Sequence, residues 1–209
     1  MAIKLTLNKT ERILFCGSKW WGDPDMPENM QYPTIEVTED GETFDYPLTF
    51  ICQINCEDIA PYDKDGKLPH EGMLYFFGAI DEWLGYESPT TQGAGEWPKG
   101  HVAVKYAKTI NFETFQTCML VGDEDEQLTE SELEIVFSEC EDDADCIKLL
   151  GKAAKESVKK EYPDLGNLLQ LTSDAASGMS FPDGATLNIM IKDSDLGYGN
   201  WKKTKAYLG

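Results

Sequence analysis

Two histidines and six cysteines are the residues of this chain best suited to nucleophilic or metal chemistry. A thiol–imidazole pair would need Cys56 to meet His70 or His101 in space, and none of the three stands in a recognisable catalytic motif. Neither Cys52 with Cys56 nor Cys140 with Cys146 has the close spacing and matching histidine pair of a structural zinc site. The glycines Gly95 and Gly100 are spaced as in a phosphate loop, but Pro98 intervenes and His101 replaces the Lys-Ser/Thr that would hold phosphate and magnesium. Asp123, Asp125, Gln127, Thr129, Ser131 and Glu134 fall at the liganding offsets of a calcium loop. Leu128 occupies the position that needs glycine for the sharp turn. The sequence therefore favours no metal, no cofactor and no catalytic residue.

The remaining candidates suit binding. Trp20, Trp21, Trp83, Tyr86 and Trp97 fall in loop-like segments of the first half, where they either pack or gather on one surface as a protein-binding site. Gln53 and Gln170 each sit inside an apolar strand-like run and must find a partner there. The favoured partner is neighbouring backbone; the functional alternative is a ligand cleft.

The elements that position these residues read mainly as strands. Leu48–Ile54, Met73–Phe77, Val102–Tyr106, Leu168–Leu171, Leu187–Ile191 and Lys203–Leu208 are apolar, β-branched or aromatic runs, and Arg12–Cys16 reads as a further short strand. Ile35–Asp45 alternates around Asp40-Gly41, a hairpin signal. Thr129 with Glu132 fits a capping box for a helix to about Cys140. Ile147, Leu150, Ala154 and Val158 recur at helical spacing opposite Lys148, Lys152, Lys155 and Lys159, which predicts a second helix ending at Tyr162-Pro163. The expectation is an α+β fold, mostly antiparallel sheets with two central helices. A Gln in an apolar strand, then a proline (Pro69, Pro182), then a small residue opening another strand occurs twice, which predicts two related halves. The expected organisation is one domain over 1–209, its halves at about 1–121 and 165–209 joined by an acidic helical segment, 122–163.

Lys plus Arg number 18 against 38 Asp plus Glu, a net charge of −20, and Arg12 is the only arginine. This balance argues against nucleic acid and anionic membrane as partners, since both need counter-charge. Between Asp123 and Cys146 there are 12 acids and no Lys or Arg, among them Asp123, Asp125, Glu141, Asp142, Asp143 and Asp145. That segment is the expected contact for a basic protein partner. With no apolar signal core near the N-terminus and few cysteines, the expected compartment is the cytoplasm.

Six segments follow one another in a recognisable order: Ser18-Lys19 to Pro27, Tyr32-Pro33, Pro47 to Asn55, Leu68-Pro69 to Phe77, Lys148-Leu149-Leu150-Gly151 and Leu168 to Ile191. In that order they resemble the YwqG-like proteins, a bacterial family of unknown function. Trp21 stands where the family has the first of two glycines, and Lys152-Ala153-Ala154 replaces a Tyr-Pro-Asp. The resemblance implies a β-rich α+β fold with two related halves and no established reaction, with an immunity role beside a toxin as a hypothesis. Together these readings favour a non-catalytic module for a basic, toxin-like partner, using Trp20, Trp21, Gln53, Trp83, Trp97 and Gln170. The alternative is a small-molecule or enzyme site in the cleft between the halves.

Overall fold

The apolar runs do form strands, and their alternation shows which face each buries. A computed structural model describes residues 1–122 and 127–209. The first strands are β1 (Ala2–Lys9), β2 (Lys19–Trp20), β3 (Asp25–Pro27), the hairpin β4 (Thr34–Glu39) and β5 (Glu42–Pro47), and β6 (Thr49–Asn55). After a short helix α1 (Cys56–Ile59) come β7 (Met73–Gly78), β8 (Gly95–Glu96), β9 (Val102–Ala107) and β10 (Phe115–Thr117). The last third holds β11 (Leu133–Cys140), β12 (Lys148–Leu149), α2 (Glu156–Glu161), β13 (Gly166–Leu171), β14 (Leu187–Ile191), α3 (Asp193–Gly197) and β15 (Lys205–Leu208).

Eleven strands make one antiparallel sheet in the order β8-β15-β14-β13-β12-β1-β11-β2-β6-β7-β9, which curls into a half-barrel. Its concave face carries the main core, including Ile3, Leu5, Leu74, Phe76, Leu169 and Ile189. The opposite face of β6 and β7 is buried as well, under β3, β10 and their neighbours, in a cluster of Met26, Phe50, Met73, Tyr75, Phe77 and Phe115. Burial on both faces is why Met73–Phe77 is an unbroken apolar run.

The expected α+β fold with two central helices is overturned: the protein is mostly β. The stretch read as a capped helix is β11, in which Leu133, Ile135 and Phe137 are buried and Val136 is 48% exposed. That period of two lets all eight residues pair with β1. The capping-box residues serve tertiary contacts instead. Thr129 Oγ1 donates to Asp23 Oδ1 (3.3 Å), and Glu132 lies 3.3 Å from the Lys19 ammonium. In the second expected helix, Ile147 and Leu150 enter the concave core while Ala153 and Val158 pack on the convex side, so no single helix face joins them. Only α2 survives of it. Arg12–Cys16 is a turn, closed by Gly17 N donating to Leu14 O, with Cys16 at φ 55°. Thus the described part of 122–163 forms no helical linker: β11 and β12 lie in the middle of the sheet.

From the central pair β1–β11 the sheet reads alike in both directions, β2-β6-β7-β9 one way and β12-β13-β14-β15 the other. Lys19 pairs with Gln53 in the first arm and Lys148 with Gln170 in the second. In both arms a left-handed pair follows, Trp21 (φ 58°) with Gly22 (φ 71°) and Leu150 (φ 60°) with Gly151 (φ 79°). The central strands are exchanged, early β1 beside late β12 and late β11 beside early β2, which interlocks the arms.

The strand register of β11 predicts a sharp alternation in mutational cost. Ile135→Ala should lower the unfolding free energy by about 2–5 kcal/mol, whereas Val136→Thr should change it by less than about 0.5 kcal/mol, both read by urea denaturation. Equal costs at the two positions would contradict the register.

Candidate functional site

The sharp left-handed turn after β2 brings a charged group and a hollow together. The Lys19 ammonium lies 3.0 Å from Asp25 Oδ2 and 3.3 Å from Glu132 Oε2, and both Lys19 and Asp25 are buried. Asp25 also accepts from Cys16 N (2.9 Å), Gln53 Nε2 (2.8 Å) and Thr117 Oγ1 (2.8 Å). Gln53 completes the set, accepting from Asp25 N (2.8 Å) and donating to Gly17 O (2.9 Å). Four donors on one carboxylate compensate the loss of its water. In the second arm the same geometry is satisfied without a carboxylate. Lys148 donates to the carbonyls of Asp142 (2.8 Å) and Ala144 (2.7 Å), and burial pushes its pKa below the usual lysine value. Gln170 there accepts from Ala154 N and donates to the carbonyls of Ala144 and Cys146.

Beside Trp21 and Gly22 opens a hollow of about 300 Å³, walled by Pro47, Leu48, Phe50, Leu84, Leu120 and Leu128. Its polar groups are two tyrosine–carboxylate pairs, Tyr46 donating to Asp81 (2.9 Å) and Tyr86 donating to Glu130, together with Glu87. Burial raises the Asp81 carboxyl above its ordinary value, against the lowering pull of hydrogen bonds from Tyr46 and Ser88. The Glu130 hydrogen bond, with burial second, pushes the Tyr86 phenol up to about 12. Among the described residues lining this hollow there is no Lys, Arg or His. Across the turn a second hollow of about 260 Å³ is lined by Lys19, Asp23, Asp25, Thr117, Gln127, Glu130 and Glu132. Asp23 ties its rim down, accepting from Leu120 N (3.2 Å) and Gln127 Nε2 (3.1 Å).

A domain of unknown function, DUF1963, matches residues 18–163. This chain belongs to the DUF1963 family. A search of curated proteins finds no match. The matched span of the DUF1963 domain covers Lys19, Asp25, Gln53, Thr117 and Glu132, every residue of both hollows except those before Ser18, and the acidic turn after β11.

Of the residues singled out in the sequence, Trp21 and Tyr86 line the larger hollow together with Gln127 and Thr129 of the calcium-like loop, and the Trp21 Nε1 donates to Ser177 O (2.9 Å). Trp20 is fully buried, edge-on to Trp21. Trp83, half-buried, stacks on the buried Trp97 at 5.5 Å and meets Phe181 at 5.2 Å, packed against the main core. Gln53 and Gln170 both bond to neighbouring backbone. Asp142 lies 3.0 Å from the Met1 amino group, Asp143 3.6 Å from Lys159 and Asp145 2.7 Å from Lys155, while Glu141 is exposed. Asp123 and Asp125, and with them the head of the calcium-like loop, lie outside the described residues. Cys56 is buried and its thiol is pushed up to about 12, far from thiolate chemistry. His70 Nε2 sits 3.2 Å from Asp63, and burial lowers the pKa of His101. Among the described residues no three His, Cys, Asp or Glu are grouped to hold a metal ion, and no helix is long and apolar enough to cross a membrane.

Sequence reading missed Tyr46, Asp81, Glu87 and Glu130, which meet only through the folding of the β5, β7 and β11 approaches. Tyr46-Pro47 and the acid after the β7 run are ordinary local patterns and carry no signal of the contact.

The two lysine networks should respond differently to mutation. Asp25→Ala leaves the buried Lys19 ammonium with Glu132 alone and orphans the donors from Cys16, Gln53 and Thr117, and should cost roughly 3–5 kcal/mol. Lys148→Met removes a buried charge and leaves the Asp142 carbonyl to Lys152 N and the Ala144 carbonyl to Gln170 Nε2, so it should cost only about 1–3 kcal/mol. Urea midpoints with unchanged slopes check both.

Proposed function

We propose that this is a YwqG-like, non-catalytic protein-binding module that takes a cationic side chain of a basic partner into the hollow beside Trp21. One observation carries this reading: the hollow combines Asp81, Glu87 and Glu130 with the rings of Trp21, Tyr46, Phe50 and Tyr86, and no described lining residue is basic. Carboxylates and aromatic faces both attract an ammonium or guanidinium, and the apolar walls suit the methylene stem behind it. A volume of about 300 Å³ is at the small end of ligand sites, in keeping with one side chain rather than a whole cofactor. The net charge of −20 would speed the approach of a basic partner and repel an acidic one. An immunity-type role against a basic toxin, in the cytoplasm of a bacterium, is one form of this reading and is supported by the family resemblance. The matched arms support treating residues 1–209 as one unit of two related halves.

The acidic turn Glu141–Asp145 is the weaker choice for the contact, because Asp142, Asp143 and Asp145 already face cations of this chain. In the hollow, Asp81 and Glu130 have tyrosine donors and, among the described residues, no cation.

Titration with lysine- and arginine-containing peptides, with a glutamate peptide as control, tests the reading by shifts of the Trp21 indole N–H in NMR. Saturable binding of the basic peptides alone is expected, and Asp81→Asn with Glu130→Gln should weaken it roughly tenfold, about 1.4 kcal/mol. Because the Asp81 carboxyl is raised, its charge appears only as pH climbs through that raised value, so affinity should increase over that window. The same shift favours the folded state at lower pH, a contribution lost as pH rises from the ordinary carboxylate value through the raised one. Indifference to peptide charge, or unaltered binding in the double variant, would sink the proposal.

A further inference from the structure

We propose a second binding site, for a small, multiply charged oxyanion, in the hollow where the two ends of the large sheet approach each other. One edge of the sheet is β9; the other lies beside β15, which is entered through the turn Trp201–Lys203. There the Trp201 ring comes within 6.0 Å of Tyr106 on β9. The hollow between them has a volume of about 640 Å³ and is lined by Met30, Val104, Lys105, Tyr106 and the stretch Gly199–Lys203.

Its charge runs against the composition of the chain. Acids outnumber bases 38 to 18, yet Lys105, Lys202 and Lys203 line this hollow and no Asp or Glu does. Among the described residues none of the three forms an ion pair, although neighbouring Lys205 is paired with Glu96. The Lys105 ammonium is anchored by donating to the carbonyl of Gln31, so one cation is held in place while Lys202 and Lys203 are exposed and free to close on a guest. Partial burial and the like charge of Lys202 pull the Lys105 pKa below its usual value, a repulsion that a bound anion would relieve.

The chemistry of the site narrows the class of ligand. Lysine ammoniums act as point charges, so they select for charge and not for a planar fork as arginine does. Three of them match a phosphorylated or polycarboxylic small molecule better than a monoanion. A long polyanion would extend beyond the hollow over a strongly acidic surface, which disfavours nucleic acid. Trp201, only partly buried, leaves an aromatic face for a planar portion of the guest. This hollow shares no lining residue with the acidic one beside Trp21, so either site can fail without the other.

The test is titration of the intact protein with pyrophosphate and with citrate, against sodium chloride at matched ionic strength, followed by amide and indole NMR. Saturable shifts confined to Val104–Tyr106 and Gly199–Lys203 are expected. Response to both anions assigns any compact polyanion, and response to pyrophosphate alone assigns phosphate. Lys202→Ala with Lys203→Ala, both exposed and so tolerable to the fold, should weaken binding roughly tenfold or more, as should Lys105→Met. Shifts no larger than those with chloride, or binding unchanged in the double variant with wild-type melting, would overturn the site.

Discussion

A buried ammonium must be given oxygen ligands, and in this protein that requirement organises both arms of the sheet. Lys19 and Lys148 sit on two-residue strands just outside the central pair β1–β11, each opposite a glutamine on the next strand. Neither strand is long enough to be held by ladder bonds alone. The lysine and glutamine side chains supply the missing bonds, gripping loop backbone on the convex side. The chain then has to turn away at once, and it does so through a left-handed pair of residues. A Cβ on Gly151 would lie 2.4 Å from the Asp142 carbonyl oxygen, so glycine is required there on space as well as on φ.

The two arms solve one problem with different oxygens, and the difference sets where a ligand site can form. Carbonyls close over Lys148: the side chain is fully buried and its ammonium donates to the Asp142 and Ala144 carbonyls of the turn after β11. Carboxylates around Lys19 come from two separate segments, β3 and the approach to β11, and they leave a gap between them. The turn that follows carries Trp21 where the family resemblance expects glycine. A tryptophan in the left-handed region stores strain of roughly 1–3 kcal/mol, offset here by its indole bond to Ser177 and its packing on Trp20. Strain held in this way marks a position that the surrounding structure determines, and the acidic hollow opens on it.

Much of the sheet is legible in the sequence because local pattern and tertiary role agree there. Met73–Phe77 is apolar throughout because both faces of β7 are covered, and Asp40 (φ 50°) with Gly41 (φ 85°) makes the hairpin turn that their pairing implies. Pattern misleads between residues 129 and 163 because local motifs there are used over long range. Thr129 and Glu132 have capping-box spacing but bond to Asp23 and Lys19, more than 100 residues away. The helical spacing of Ile147, Leu150, Ala154 and Val158 belongs to a chain that changes sides of the sheet just after β12. Lys148 looks like a solvated stripe residue because nothing local announces that two carbonyls will surround it. The acidic hollow is illegible for a related reason: Tyr46, Asp81, Tyr86 and Glu130 are each unremarkable, and Glu130 reaches the other three only because β11 pairs with β2 in the early arm.

The exchange also bears on how charge is distributed. Because β1 and β11 cross between arms, the acid-rich late segment is carried to the flank of the early arm, where Glu130 and Glu132 join Asp23, Asp25 and Asp81. The turn after β11 takes its remaining acids the other way, towards Lys155 and Lys159, where they are largely neutralised. Three lysines are left at the opposite seam, where β9 faces the approach to β15. A chain with a net charge of −20 thus presents acid-lined hollows on the flank of the early arm and a lysine-lined hollow at that seam. Over the Debye length of about 8 Å at physiological salt, each presents its own sign to a ligand rather than the average of the whole.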